Sequence, residues 1–248
     1  MRALITGASS GIGRDMAIYL ASKGYDLVVV GRNTHKLEEL KRLVSKNVEV
    51  VTMDLSIPNN SIKLHEIAQN IDILINNAGF GLYGEFVNTS LDTELNMINT
   101  NIVAVHILTK LYLQDMIKKN SGYILNVASI AGFLPGPLMS TYYSSKAYVL
   151  RLTESLQAEL KKSKSKVNLS VLCPGPINTN FFNTAGVDFR TKFVSSKYIA
   201  KYAIDKMFKG KKVIVPTFVV KLARVSTKLI PDKILAKSIY YIQKKRNS

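Results

Sequence analysis

At 248 residues the chain can form one large α/β domain with a well-buried core, and its 47% hydrophobic content is ordinary for a globular protein. Its longest apolar runs are about five or six residues, short of the ~20 that span a bilayer, and a strand candidate starting at Arg2 leaves no room for a signal peptide. The net charge of +17 is uneven: residues 1–189 hold 18 Lys+Arg and 15 Asp+Glu, whereas residues 190–248 hold 16 and only Asp205 and Asp232, so the basic character belongs to the C-terminal quarter.

In chain order the strand candidates are Ala3–Thr6, Leu27–Gly31, Val48–Met53, Ile71–Asn76, Tyr123–Ala128, Asn168–Cys173 and Lys212–Pro216. Between them apolar residues recur at helical spacing, as in Ile12, Met16 and Leu20. Such alternation predicts a parallel sheet with helices on both faces. The strands are apolar at nearly every position, as a doubly covered sheet requires. No repeat, low-complexity tract or linker interrupts them. We expect one domain over 1–248, with a core over 1–216 and a basic helical extension over 217–248.

Thr6-Gly7-Ala8-Ser9-Ser10-Gly11-Ile12-Gly13 lies between the first strand and the first helix. Glycines here permit a tight turn and let the backbone approach a pyrophosphate. The helix N-terminus then offers free N–H groups to the anion. Further on, Ser129 precedes Tyr142 by thirteen residues, and Tyr142 and Lys146 stand at i and i+4 on a predicted helix, so they share a face. A nearby ammonium lowers a phenol's pKa from its usual ~10 toward neutrality. Tyr143 has Ala147, not lysine, four residues on; it reads as a packing or pocket-lining aromatic.

Taken together these motifs resemble those of the short-chain dehydrogenase/reductase family. The three-residue spacing of Gly7 and Gly11 is that family's. Asn76-Asn77-Ala78-Gly79, Asn101 within Asn99–Ala104, the Ser129/Tyr142/Lys146 set and Pro174-Gly175-Pro176-Ile177-Asn178-Thr179 follow in the family's order over roughly residues 3–180. The resemblance implies a Rossmann-type doubly wound sheet of about seven strands and chemistry on a carbonyl/alcohol pair. It implies a catalytic set of Asn101, Ser129, Tyr142 and Lys146. Tyr142 is then the general acid, and Ser129 steadies the reacting oxygen. Lys146 binds the nicotinamide ribose, and Asn101 holds a water that links Lys146 to solvent. The implied cofactor contacts are Gly7, Ser9, Ser10, Gly11, Ile12, Gly13, Arg32, Asp54, Leu55, Asn77, Ala78, Gly79, Tyr142, Lys146, Pro174, Gly175, Ile177 and Thr179.

The second strand ends Val30-Gly31-Arg32-Asn33. An NAD site places a carboxylate there for the ribose hydroxyls. Gly31 supplies none, and the Arg32 guanidinium can grip a 2′-phosphate. We therefore expect NADP(H). Asp54 matches the residue that contacts adenine in the family; the plain alternative is a cap on its own loop.

The single cysteine, Cys173, allows no internal disulfide, which fits a cytoplasmic protein. His35, His65 and His106 are scattered, so no metal site is expected. The alternative to an enzyme is an NADP-binding, redox-sensing module without turnover; the intact Ser/Tyr/Lys set argues against it. The basic tail lacks a nucleic-acid module and few aromatics interleave its charges, so no specific nucleic-acid partner is expected. Phe181, Phe182, Phe189 and Phe193 suggest an apolar lid and a hydrophobic carbonyl substrate. The segment after the last strand departs from the Asp-Gly-Gly ending of bacterial ketoacyl-carrier-protein reductases and looks closer to long-chain ketoacyl reductases and hydroxysteroid dehydrogenases. Family resemblance also implies a homodimer through segments near Asp92–Lys119 and Tyr142–Lys162.

In the tail, Phe218, Leu222, Val225 and Leu229 recur at helical spacing beside Lys221, Arg224 and Lys228. Pro231-Asp232 can start a second helix, with Ile234, Leu235, Ile239 and Ile242 against Lys233, Lys237 and Lys244. Three readings remain open. The helices could wall the substrate pocket, lie on an anionic membrane as a peripheral contact, or recruit an acidic carrier.

Overall fold

A seven-stranded, all-parallel sheet carries the fold, with strand order β3-β2-β1-β4-β5-β6-β7. The strands are β1 (Arg2–Thr6), β2 (Asp26–Gly31), β3 (Val48–Thr52), β4 (Ile73–Asn76), β5 (Tyr123–Val127), β6 (Asn168–Leu172) and β7 (Val213–Ile214). The computed structural model describes residues 1–44, 47–177, 194–217, 220–222, 227 and 229–246. Each expected strand is present; the first two gain one residue at their starts, the others are trimmed, and the last shrinks to two residues paired with Val171 and Leu172.

The helices are α1 (Gly11–Ser22), α2 (Thr34–Leu43), α3 (Pro58–Ile67), α4 (Leu91–Ile98), α5 (Ala104–Lys119), α6 (Ser140–Lys162), α7 (Ser196–Phe208) and α8 (Asp232–Arg246). Local chemistry sets their starts. The Asn33, Ser90 and Ser195 side chains accept the N–H three residues on and cap α2, α4 and α7. Pro58 opens α3, where its missing N–H is harmless.

The apolar strands bury both faces, as their composition demands. Ala3, Ile5, Leu27 and Val29 pack with Met16 and Leu20 of α1, Leu40 of α2 and Ile204 of α7. Their neighbours Leu4, Val28, Val30 and Leu74 pack on the other face with Leu64 of α3, Leu108 and Tyr112 of α5 and Leu160 of α6. The period-2 alternation of a strand divides these residues between the two layers.

The strand order reverses between β1 and β4, and open α/β sheets bind ligands in the crevice at such a point. Here the crevice is pinned shut at its base. Thr6 Oγ1 accepts from the N–H groups of Asn77 and Ala78, both at 3.0 Å. Asn77 Nδ2 donates back to Thr6 O (3.0 Å) and Gly7 O (3.3 Å). Beneath it lies a buried polar chain. Asn76 Nδ2 donates to Asn126 Oδ1 (2.9 Å) and Thr109 Oγ1 (3.0 Å), and Asn126 Nδ2 donates to Thr153 Oγ1 (3.0 Å). These bonds join β4 and β5 to α5 and α6 directly under the crevice. Among the described residues no helix is long and apolar enough to cross a membrane.

Candidate active site

The loop from β1 into α1 is a cradle with no room for side chains. Gly7 and Gly11 have φ of +67° and +56°, which glycine adopts without strain. A Cβ on Gly7 would sit 2.9 Å from Ala78 Cα, and one on Gly13 would overlap Gly7 O and Asn77 Nδ2. Ser10 caps α1 in an extended conformation but makes no side-chain cap bond. The first-turn N–H groups of Gly11, Ile12 and Gly13 lack intrahelical partners by geometry, and Ser9 and Ser10 flank them. This cradle fits a pyrophosphate in both shape and charge.

At one end of the crevice is a cavity of ≈ 240 Å³ lined by Arg32, Asp54, Ser56, Phe80, Thr93 and Asn96. Arg32 is 69% exposed at its side chain, with Nη1 4.0 Å from Asp54 Oδ2. A Cβ on Gly31 would meet Ser9 Oγ at 3.5 Å, so the position holds room but no carboxylate. Asp54 Oδ1 also accepts the Ser56 N–H at 2.9 Å, so it is a loop cap as well as a cavity-lining group. Leu55 is buried below. A larger open groove of ≈ 520 Å³ lies along Gln157, Lys161 and Lys212. It sits at the opposite, N-terminal edge of the strands and holds none of the candidate residues.

The four candidate catalytic side chains converge at the other end. Tyr142 and Lys146 share the inner face of α6, with Lys146 Nζ 5.9 Å from the Tyr142 ring centre. Ser129, which caps the short turn Ile130–Phe133, hydrogen-bonds the Tyr142 phenol. Lys146 Nζ donates to Val127 O at 3.0 Å. Asn101 is fully buried on a π turn, Asn99–Val103, set between α4 and α5. Such wide turns inside helices favour functional sites. Asn101 Nδ2 donates to Phe80 O (2.9 Å) and Ser145 Oγ (3.0 Å), and its Oδ1 accepts the Phe80 N–H (3.1 Å). A Cβ on Gly79 would lie 2.8 Å from Asn101 Oδ1 and 3.3 Å from Lys146 Nζ. Gly79 therefore lies beside both Asn101 and Lys146, with no space for a side chain.

Electrostatics differs from the sequence-based expectation. Burial pushes the Tyr142 phenol well above its ordinary 10, only partly offset by the Ser129 hydrogen bond. Lys146 does not counter this, because its ammonium is directed at Val127 O. Burial lowers Lys146 itself to about 8. At neutral pH the phenol is thus fully protonated, the form that donates a proton.

Pro174 O accepts the Ile130 N–H at 2.8 Å, which ties the loop after β6 to the Ser129 turn. Gly175 passes close to Val220, and Ile177 bridges to Val194. Thr179, the phenylalanines 181, 182, 189 and 193, and most of the expected helix 218–230 lie outside the described residues.

Tyr143 packs in an apolar cluster around Tyr142, as its sequence context suggests, and Met97, Met139, Phe80, Leu82 and Tyr83 join it with no sequence signal of their own. Tyr143 meets Tyr142 edge-on at 6.0 Å and accepts a 2.8 Å hydrogen bond from Gln243 Nε2 of α8. Gln243 is 2% exposed although it sits in the lysine-rich tail. The signal was present: Leu235, Ile239 and Gln243 are spaced i, i+4, i+8 on one helix face.

Comparison with known proteins agrees with this arrangement. Residues 1–188 match the family model for short chain dehydrogenases. An uncharacterised oxidoreductase of Staphylococcus epidermidis is 32% identical over 191 residues, covering 75% of this chain and 81% of the relative. A very-long-chain 3-oxoacyl-CoA reductase of Danio rerio is 36% identical over 180 residues, covering 68% of this chain but 58% of the relative. A solved short-chain dehydrogenase of Sphingobium yanoikuyae in complex with NADPH superposes with a TM-score of 0.82 at 29% identity, covering 92% of this chain and 93% of that one.

Lys146 gives a test that is independent of turnover. Its folded-state value near 8 lies below the ordinary 10.5. Between these values the unfolded chain binds more protons, so stability should rise with pH from about 8 to 10, by up to ~1.4 kcal/mol per pH unit. Tyr142, shifted upward, acts in the opposite sense only above pH 10. The difference in unfolding free energy between wild type and Lys146→Met should grow across pH 8–10 in urea titrations. A flat difference would mean that Lys146 is not held in the buried state described.

Proposed function

The chain belongs to the short-chain dehydrogenase/reductase family, oxidoreductases acting on alcohol/carbonyl pairs with a nicotinamide cofactor, and on that premise we propose that it reduces a hydrophobic, lipid-like ketone or aldehyde with NADPH. The observation that carries this reading is the convergence of Ser129 and Lys146 on Tyr142 inside an apolar cluster. The reduced nicotinamide, when bound, supplies the hydride. Tyr142 gives its proton to the carbonyl oxygen, so that a C–H and an O–H bond replace the carbonyl π bond. Ser129 hydrogen-bonds the same oxygen and steadies its developing negative charge. Lys146, one helical turn on, holds the ribose. Asn101, braced by Phe80 and Ser145, holds the water that returns a proton.

For the cofactor, Arg32 and the carboxylate-free Gly31 support a 2′-phosphate at the Arg32/Asp54 cavity. The cradle of Gly7, Ser9, Ser10, Gly11, Ile12 and Gly13 takes the pyrophosphate. Asp54 and Leu55 take the adenine, and Asn77, Ala78, Gly79, Pro174, Gly175 and Ile177 line the remainder. We read the whole chain as one catalytic domain, supported by the contact of Gln243 in the extension with Tyr143 in the core. We also assign it a homodimer through α4–α6, supported by the exposure of Leu91, Leu95 and Tyr148 on these helices.

Tyr142→Phe should lower kcat on a bulky ketone by on the order of 10²–10⁴ while NADPH binding, read by fluorescence, persists; near-normal turnover would refute the acid assignment. Wild type should prefer NADPH over NADH in kcat/KM, and Arg32→Ala should raise KM for NADPH by roughly 10- to 100-fold with little change for NADH. A wild-type preference for NADH would reverse the cofactor reading. Light scattering at micromolar concentration should give the mass of two chains; a monomer would remove the dimer.

A further inference from the structure

The sequence groups Ile234, Leu235, Ile239 and Ile242 into one apolar face of the second tail helix, but α8 splits them. Leu235 and Gln243 are buried against the catalytic domain, with Ala236, Ile239 and Tyr240 half-buried beside them. Ile234, Tyr241 and Ile242 are exposed, at 56%, 61% and 44%. At ~100° per residue, these three fall within one outward arc of the helix. Lys233 and Lys237 occupy the adjoining arc and Lys245 lies within it, all exposed.

Further exposed apolar residues precede α8 in the chain. Leu229 is 80% exposed, Ile230 37% and Leu222 61%. Isolated exposed hydrophobic side chains are ordinary, but a clustered set marks a contact surface. The charge around this set is one-sided. Asp232, in the first turn, is the single acid of the helix, and residues 190–248 as a whole carry a net charge of +14.

We propose that the outward face of α8 is a docking surface for an anionic lipid bilayer. Ile234, Tyr241 and Ile242 would enter the headgroup–acyl boundary, and the lysine stems would run along the same surface with their ammonium groups on lipid phosphates. Tyrosine suits this depth because its ring is apolar and its hydroxyl is polar. An acidic protein partner would match the lysines, but it leaves the apolar strip without a stated role. The buried face of the same helix holds Tyr143 beside Tyr142. The docked helix is therefore also a wall of the reaction pocket, so a carbonyl dissolved in the membrane would arrive next to it.

The proposal stands on this surface alone. Vesicle binding is read without turnover, so its failure and failure of the proposed reduction are separable. Full-length protein is floated with vesicles of phosphatidylcholine alone or mixed with phosphatidylglycerol, at low and high salt. Binding should need the anionic lipid and weaken with salt. Lys233→Gln/Lys237→Gln should reduce the partition coefficient at least tenfold, at about fivefold per lysine. Ile234→Asp/Ile242→Asp should abolish binding, while both variants keep wild-type thermal unfolding and activity on a water-soluble ketone. No flotation with anionic vesicles at low salt would overturn the proposal. So would flotation that the aspartate variant leaves unchanged. Capture by an immobilised acyl-carrier protein without vesicle binding would assign the face to an acidic protein and also overturn it.

Discussion

The site depends on how the two loops at the strand-order reversal are held to each other. Asn77 and Ala78 donate four hydrogen bonds to Thr6 and Gly7 across the gap between the ends of β1 and β4. One loop carries the phosphate cradle, and the other carries Gly79 against Lys146. A shift of either loop would separate the groups proposed to hold the cofactor from those proposed to move the proton. The two strands alone cannot prevent such a shift, because parallel pairing ends at Ile5 and Ile75. Side-chain bonds of a Thr and an Asn, short and with few rotamers to lose, extend the alignment past the ladder.

Electrostatics makes a second demand. A buried ammonium is expensive unless hydrogen-bonded, and Lys146 meets this with the Val127 carbonyl. That bond orients the lysine, and burial favours the protonated form of Tyr142. The two groups are coupled through the pocket's dryness more than through mutual attraction. Each is shifted toward its neutral form by the same loss of water.

The sequence makes the fold legible almost entirely, because the signals were redundant. Most strands are apolar on both faces, the edge strand β3 with its exposed Glu49 and Thr52 excepted, and several helices have a cap. The candidate residues were also legible, since Gly7, Gly11, Gly13, Ser129, Tyr142 and Lys146 sit at fixed spacings. What could not be read was any partner supplied by backbone or by distant chain. The acceptor for Lys146 is a carbonyl, which every residue has. The brace of Asn101 is the backbone of Phe80 and a serine 44 residues on. The expected depression of the Tyr142 pKa failed for the same reason. Spacing gives i to i+4 proximity, but not where the ammonium points or how dry the cleft is.

Gln243 shows how the tail becomes part of the enzyme. Its neighbours on the inner face of α8, Leu235 and Ile239, offer apolar contact, which is non-directional and tolerates sliding. An amide bonded to the Tyr143 hydroxyl fixes the helix in rotation and in register at one point, 100 residues distant in sequence. Tyr143 in turn meets the Tyr142 ring edge-on. The position of α8 is therefore read by the side chain adjacent to Tyr142. A basic, amphipathic segment with no tie to the core could move without consequence for that contact. With this tie, a displacement of α8 reaches Tyr143 and so the ring beside Tyr142.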